Sequence, residues 1–135
     1  VEKGAADGIG VLTGAMSGIV VVDVDDTAFW TRFTAGKEWE STFTVQTASG
    51  GLHFYFQYDE RMPLLINSNR INKEKVDFRT NGGVIVFAGN VTDDGRIYQV
   101  AYPSDINELE RPPLARMPQW LYEWILGYQG SIQRR

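Results

Sequence analysis

The sequence contains no cysteine and only one histidine, His53. Without thiols there is no disulfide framework and no thiolate metal centre, which fits a reducing compartment. Long apolar runs are also missing, so no segment reads as a membrane span. Positive charge is scarce: 13 Lys and Arg stand against 17 Asp and Glu, a net charge of −4. That balance argues mildly against a general nucleic-acid binder. The opening Val1-Glu2-Lys3-Gly4 leads into a glycine-rich turn, not an apolar signal sequence. The first residue is not Met, and the chain reads as a piece of something longer.

What is present is an ordinary globular composition, 43% apolar and 22% charged. A chain of 135 residues is enough for one domain with its own core. The basic residues are unevenly spread. Arg61, Arg70, Lys73, Lys75 and Arg79 face only Glu74 and Asp77 between them, a local balance of +3. Taken singly, each lysine there reads as part of a solvated loop.

Along the chain, Gly8 to Gly14 reads as a short strand and Ala15 to Gly18 as a turn. Ile19 to Asp25 is the strongest strand, so these two are expected to pair as a hairpin. Thr27 to Gly36 reads as a helix with Asp26 or Thr27 as its cap and Gly36 as its stop. Thr42 to Thr47 and Leu52 to Tyr58 form the next expected hairpin, followed by a loop from Asp59 to Asn72. Val76 to Thr80 and Val84 to Ala88 flank Asn81-Gly82-Gly83, a strong hairpin signal. Asp93-Asp94-Gly95 turns the chain into a strand over Arg96 to Val100. Pro118 to Leu126 reads as a helix, with Trp120, Leu121, Trp124, Ile125 and Tyr128 on one face as core packing. The result is an α+β layout: a mainly antiparallel sheet with helices on one face. Residues 1–128 would be the core, and the polar 129–135 a tail or linker.

The stretch Val20-Val21-Val22-Asp23-Val24-Asp25-Asp26-Thr27 raises the question of function. A β-branched run suits the middle of a sheet, yet this one ends in carboxylates, which avoid burial. Strand side chains alternate faces. Val20, Val22 and Val24 share one face with Leu52, Phe54, Phe56, Val76 and Phe78 as a packing set. Asp23, Asp25, His53, Asp77 and Arg79 can all point the other way, onto a face that an antiparallel sheet can leave open to water. A lone strand histidine is usually structural, and Asp26 reads as a helix cap. Asp23 and Asp25 are harder to dismiss, because like charges two apart on one face repel unless a cation sits between them. Asp77 could add a third carboxylate, and carboxylates with substrate phosphates are how proteins hold Mg²⁺.

Four collinear segments now carry a resemblance: GIGVLTGAMSGIVVVDVD, TASGGLHFYF, VDFRTNGGVIVFAG and, more weakly, Pro118-Gln119-Trp120-Leu121. Together they resemble the bifunctional DNA primase/polymerase (Prim-Pol) domain of the archaeo-eukaryotic primase superfamily. The resemblance implies an RRM-like palm and template-directed nucleotidyl transfer from (d)NTPs with Mg²⁺ or Mn²⁺. It implies that Asp23, Asp25 and Asp77 are the metal carboxylates and that His53 contacts the nucleotide phosphates. Ser49, Gly50 and Gly51 would let the backbone approach those phosphates, and Arg79 is a further phosphate partner by charge and face. The resemblance further implies a DNA template and primer as partners, with the fused helicase domain that such domains often carry, at an intracellular site of DNA replication, with no membrane. Two departures stand out: Gly51 lies where members often carry Ser, and Gly89-Asn90-Val91 replaces a common Pro-Pro-Ser. The usual segment ahead of the Gly-Ile-Gly strand is also absent.

Two alternatives stay open. Asp23-Val24-Asp25-Asp26-Thr27 also matches the Asp-x-Asp-x-Thr motif of haloacid-dehalogenase-like phosphatases, with Thr47, Lys73 or Lys75, and Asp93-Asp94 as the later motifs. Those enzymes use a covalent aspartyl intermediate on a parallel sheet, which the short connections here oppose. The other alternative is a non-catalytic nucleic-acid-binding remnant.

Overall fold

The computed structural model describes residues 10–86, 99–104 and 112–133. In chain order the elements are β1 (Gly10–Leu12), β2 (Ile19–Val24), α1 (Thr27–Thr34), β3 (Thr44–Gln46), β4 (Leu52–Gln57), β5 (Val76–Arg79), β6 (Val84–Val86), β7 (Gln99–Tyr102) and α2 (Gln119–Gln133). Five strands form one sheet in the order β5-β2-β4-β3-β7, and β1 pairs with β6 in a separate ribbon. Every strand pair is antiparallel. The α+β class read from the sequence is the class observed.

The apolar alternation of the central strands builds the core. Val20, Val22, Val24, Phe54, Phe56, Val76 and Phe78 pack in one cluster with Trp30 of α1 and Leu121, Tyr122 and Ile125 of α2. Burying each such side chain is worth about 1.5–3 kcal/mol. Asp26 caps α1 by accepting the Phe29 amide hydrogen bond at 3.0 Å. The chain leaves that helix through Gly36 at φ +78°, a conformation that glycine adopts without steric cost. On α2, Leu121 and Ile125 are fully buried, while Trp120, Trp124 and Tyr128 are partly buried at the edge of the cluster.

Two expected hairpins do not form. β1 forms no ladder with β2, the chain between them carrying an isolated bridge, Gly14 to Ile19, and it pairs instead with β6. Asn81-Gly82-Gly83 does turn the chain, with the Gly83 amide on the Thr80 carbonyl at 2.8 Å. It sends β6 to β1 and not back along β5. The reason is what the turn is bonded to. The Ala15 amide donates to Asn81 Oδ1 at 2.8 Å, and the Thr13 amide to the Gly83 carbonyl at 2.9 Å. Gly14 abuts Asn81 so closely that an added Cβ would stand 2.6 Å from its Cα. The strand expected over Val84 to Ala88 is described as far as Val86. Its last two residues, Gly89-Asn90-Val91, Asp93-Asp94-Gly95 and the start of the Arg96 strand lie outside the described residues.

Helix α2 runs on through Gln133, past the Leu126 at which the sequence pattern stops. Gln129, placed in the polar tail by its residue type, is 2% exposed. Its side chain donates to the Ile66 carbonyl at 2.6 Å and to Ser68 Oγ at 2.7 Å, and accepts from the Ile66 amide at 3.1 Å. A core glutamine with its hydrogen bonds satisfied is invisible to a hydrophobic pattern. It pins the connection between β4 and β5, which the sequence left as a plain loop. That connection holds two 3₁₀ turns, Met62–Leu64 and Ile71–Lys73, with Met62 and Ile71 fully buried.

The same connection is held to the entry of α2 by an ion-pair clamp. Arg61 pairs with Asp59 at 2.7 Å and donates to the Met117 carbonyl at 2.7 Å, while Arg116 meets Glu60 at 2.9 Å. Burial pushes the Asp59 carboxyl up, but the hydrogen bonds from Arg61 and the charge of Arg116 outweigh it and hold the group below its ordinary 3.8. A depressed native value stabilises the fold above that ordinary value, and the contribution fades as pH falls through the native one. Asp59→Asn therefore should cost about 2–4 kcal/mol at pH 7 by leaving Arg61 without its anion. Urea melts at pH 7 and pH 3 check this; a loss of equal size at both would exclude the ionic origin.

Candidate active site

Strand β2, flanked by β5 and β4, sets the geometry. Asp23 on β2 lies opposite Asp77 on β5 and opposite His53 on β4, and His53 lies opposite Val45 on β3. Asp77, Asp23 and His53 therefore form one row across three neighbouring strands. Directly opposed residues have Cβ atoms about 4.5–5.5 Å apart. Asp25 follows two residues on, just past the end of β2, where its amide still donates to the Lys75 carbonyl at 2.9 Å. The sheet thus brings Asp23, Asp25, Asp77 and His53 together, as their alternation suggested.

The face they occupy is not open along its whole length, however. Val21, Phe43, Val45, Tyr55 and Ile85 form a second buried cluster there. Ile85 comes from the β1–β6 ribbon, which lies over this part of the sheet. The expectation of a water-facing surface is corrected to an acidic corner beside a covered patch. Val21 and Tyr55, apolar or aromatic on the supposedly wet face, were the available signal.

Within the corner the side chains are already engaged. His53 is 5% exposed, and its Nε2 stands 3.3 Å from Asp23 Oδ1. Asp77 accepts at both oxygens, from the Arg70 amide at 2.9 Å and from Arg79 Nη2 at 3.2 Å. Arg79 Nη1 also reaches the Ser68 and Phe78 carbonyls, each at 3.3 Å. Arg70 is a missed contributor, since it acts through its backbone. It lies at φ +51° in a segment where Asn72 and Lys73 are also left-handed, and of the three only Asn72 is a residue type that favours that region. Tyr55, on the same face as His53, has a buried hydroxyl with no hydrogen-bond partner among the described residues. Burial and the charge of Asp23 push its pKa up, so it stays protonated.

The glycine loop reaches this corner through Gly51. A Cβ there would meet the Val24 carbonyl at 2.6 Å and Asp25 Oδ1 at 3.2 Å. Only a residue without a side chain lets the loop close against the end of β2. Thr47 fixes the turn by accepting the Gly51 amide at 2.9 Å through its hydroxyl, and Gly50 takes φ +98°. Ser49 and Gly50 are left exposed beside the acids.

Among the described residues, no three carboxylate or imidazole groups stand together as a formed metal cluster. The donor set nonetheless suits a hard divalent cation, which needs one or two carboxylates and fills its remaining positions with water and phosphate oxygens. Partial burial, then the charges of Asp23 and Asp77, push the Asp25 carboxyl above its ordinary value, against the pull of His53 and Lys75. A pocket of about 300 Å³ lies on the opposite, helix-bearing side, by Trp39, Phe54 and Tyr102. It contains none of these acids, and its Thr42 and Thr44 hydroxyls are spent on backbone carbonyls.

The fold defines the class first: an antiparallel α+β domain with an acidic corner at the end of β2. The chain belongs to the bifunctional DNA primase/polymerase (Prim-Pol) family, whose N-terminal domain model matches residues 2–120. That family is one of nucleotidyltransferase-type enzymes whose ligands are DNA and nucleotides. No curated protein matches the chain. The phosphatase alternative needs a parallel sheet, which the antiparallel pairing denies it. Its Asp93-Asp94 lies outside the described residues. No described helix is long and apolar enough to cross a membrane.

The raised Asp25 value has a stability consequence. The native state keeps that proton at pH values where the unfolded chain has lost it, so stability falls as pH rises from 3.8 through the native value. In chelator-treated protein, Asp25→Asn should raise Tm at pH 7 by on the order of 1–2 °C, a small gain because the group is largely solvated. The gain should vanish toward pH 3.8. Thermal melts across this range decide it, and an unchanged or lower Tm at pH 7 rules out a destabilised carboxylate at this position.

Proposed function

We propose that this chain is a DNA primase/polymerase catalytic core that performs template-directed nucleotidyl transfer from (d)NTPs during DNA replication. The observation that carries the reading is the row Asp77–Asp23–His53, set by register across adjacent strands, with Asp25 beside it. Family membership supplies the chemistry to which that row is matched.

On this reading Asp23, Asp25 and Asp77 hold Mg²⁺ or Mn²⁺. Such ions, when bound, acidify a primer 3′-hydroxyl and brace a leaving pyrophosphate. The chain's own groups do the rest by position and charge. His53, kept beside Asp23 by the pairing of β4 with β2, offers a donor to phosphate oxygens. Arg79 adds a guanidinium from β5, and the exposed turn at Ser49 and Gly50, closed by the buried Gly51, allows close approach of an anionic chain. Preorganised charge of this kind stabilises negative charge that grows on the phosphates as the bond breaks. No covalent enzyme intermediate is required. The partners are a DNA template and primer, with a fused helicase as a further partner in the same replication setting.

The test is incorporation of labelled dNTP on a primed template. Asp23→Ala and Asp25→Ala should each reduce it by a factor on the order of 10²–10³. The same protein should release no phosphate from a simple phosphomonoester. Activity retained in both variants removes the carboxylates from the mechanism. DNA binding without incorporation in the parent chain favours the non-catalytic remnant.

A further inference from the structure

Arg79 occupies a position the proposed reaction does not need it to hold. Its guanidinium lies 3.2 Å from Asp77 Oδ2, while the other oxygen of that carboxylate takes the Arg70 amide. The arginine is tied down loosely: its other contacts are two backbone carbonyls at 3.3 Å, and its side chain is 24% exposed. The Arg70 amide, by contrast, belongs to a turn whose Ile71 is fully buried. Of the two donors on Asp77, the side chain is the one free to leave.

We infer that Arg79 is a displaceable counter-ion, standing in for a divalent cation on Asp77 and passing to the nucleotide phosphates when the cation arrives. This rests on the metal reading of the acidic corner given above. The physical reason is charge. Three carboxylates at one sheet end repel, so without a cation the guanidinium lowers their mutual repulsion. A dication on the same carboxylate would repel the guanidinium beside it. A triphosphate removes that conflict, because its oxygens can bind both at once. Arg79 therefore opposes binding of a metal alone and favours binding of metal together with nucleotide. The two ligands become thermodynamically coupled through one side chain, and the coupling is reciprocal.

The experiment titrates the full chain with Mn²⁺, reading free Mn²⁺ by electron paramagnetic resonance, with and without a non-hydrolysable nucleoside triphosphate. Arg79→Gln should bind Mn²⁺ alone roughly 5-fold more tightly than the parent, and the enhancement of Mn²⁺ binding by the triphosphate should shrink by a similar factor. Arg79→Met, neutral with a comparable apolar stem, should behave alike and serves if the first variant folds poorly. Arg70→Gln is the control for general charge loss. Its guanidinium does not touch Asp77, and its amide survives the substitution, so Mn²⁺ affinity should stay near that of the parent. Arg79 variants that bind Mn²⁺ no better than the parent, or no better than Arg70→Gln, overturn the inference while leaving the metal site intact. Absence of Mn²⁺ binding in the parent and every variant overturns both.

Discussion

β2 is paired along both edges, and the register of those two ladders is the constraint on which the rest of the structure depends. Val22 meets Phe54 and Phe78 in the same row that buries it against the helices, and the next row places Asp23 between His53 and Asp77. Because strand side chains alternate, a slip of one residue would drive Asp23 into the helix-covered core and expose valines at the corner. The hydrophobic set and the acidic set are thus enforced by one alignment. The energy that fixes it comes from the apolar side: Val20, Val22 and Val24 are each fully buried. Core packing places the carboxylates, which by themselves would favour separation.

The second layer narrows what that alignment exposes. The β1–β6 ribbon brings Ile85 down onto Val21 and Tyr55, so part of the face opposite the helices is apolar and dry. A small-residue corner makes this possible. Gly14 lets the chain pass against Asn81, and Gly83 sits where a Cβ would come 2.6 Å from Thr13 Oγ1. The hydrogen bonds from Thr13 and Ala15 then hold the turn after β5 against the start of β2. The polar groups of this face gather at its Asp23 end. There the loop closed by Gly51, the row on β2, β4 and β5, and the left-handed Arg70 segment converge from three sides.

The sequence made legible whatever a two-residue period encodes. The alternation in VVVDVD, LHFYFQ and VDFR assigned the core face and grouped Asp23, Asp25, His53 and Asp77 from residue type and spacing alone. The cap at Asp26 and the stop at Gly36 were also readable, because those residue types act locally. Pairing partners were not readable wherever a turn signal is shared by several outcomes. Asn81-Gly82-Gly83 makes a turn in any case, but whether β6 returns along β5 depends on contacts with Thr13 and Gly14, over sixty residues away. Buried polar residues were missed for a related reason. Gln129 reads as surface by type and becomes core only through Ile66 and Ser68. The hold on Asp77 by the Arg70 amide was illegible altogether, since a backbone donor carries no residue signature.

The acidic corner also shows why a domain of this kind carries basic residues so near its carboxylates. The chain must fold before any ligand is bound, and Asp23, Asp25 and Asp77 then repel with no cation to relieve them. His53 against Asp23, Arg79 against Asp77 and Lys75 near Asp25 together reduce that cost. These contacts are few and partly solvated, so they offset the repulsion without fixing it permanently, as the raised Asp25 value records. A corner fully neutralised by buried arginines would fold more easily but would have no reason to accept further positive charge. A corner with no basic residues would attract cations but would strain β2 away from β5. The observed arrangement lies between these limits: stable enough to form from the core outward, and still short of positive charge where the proposed chemistry would supply it.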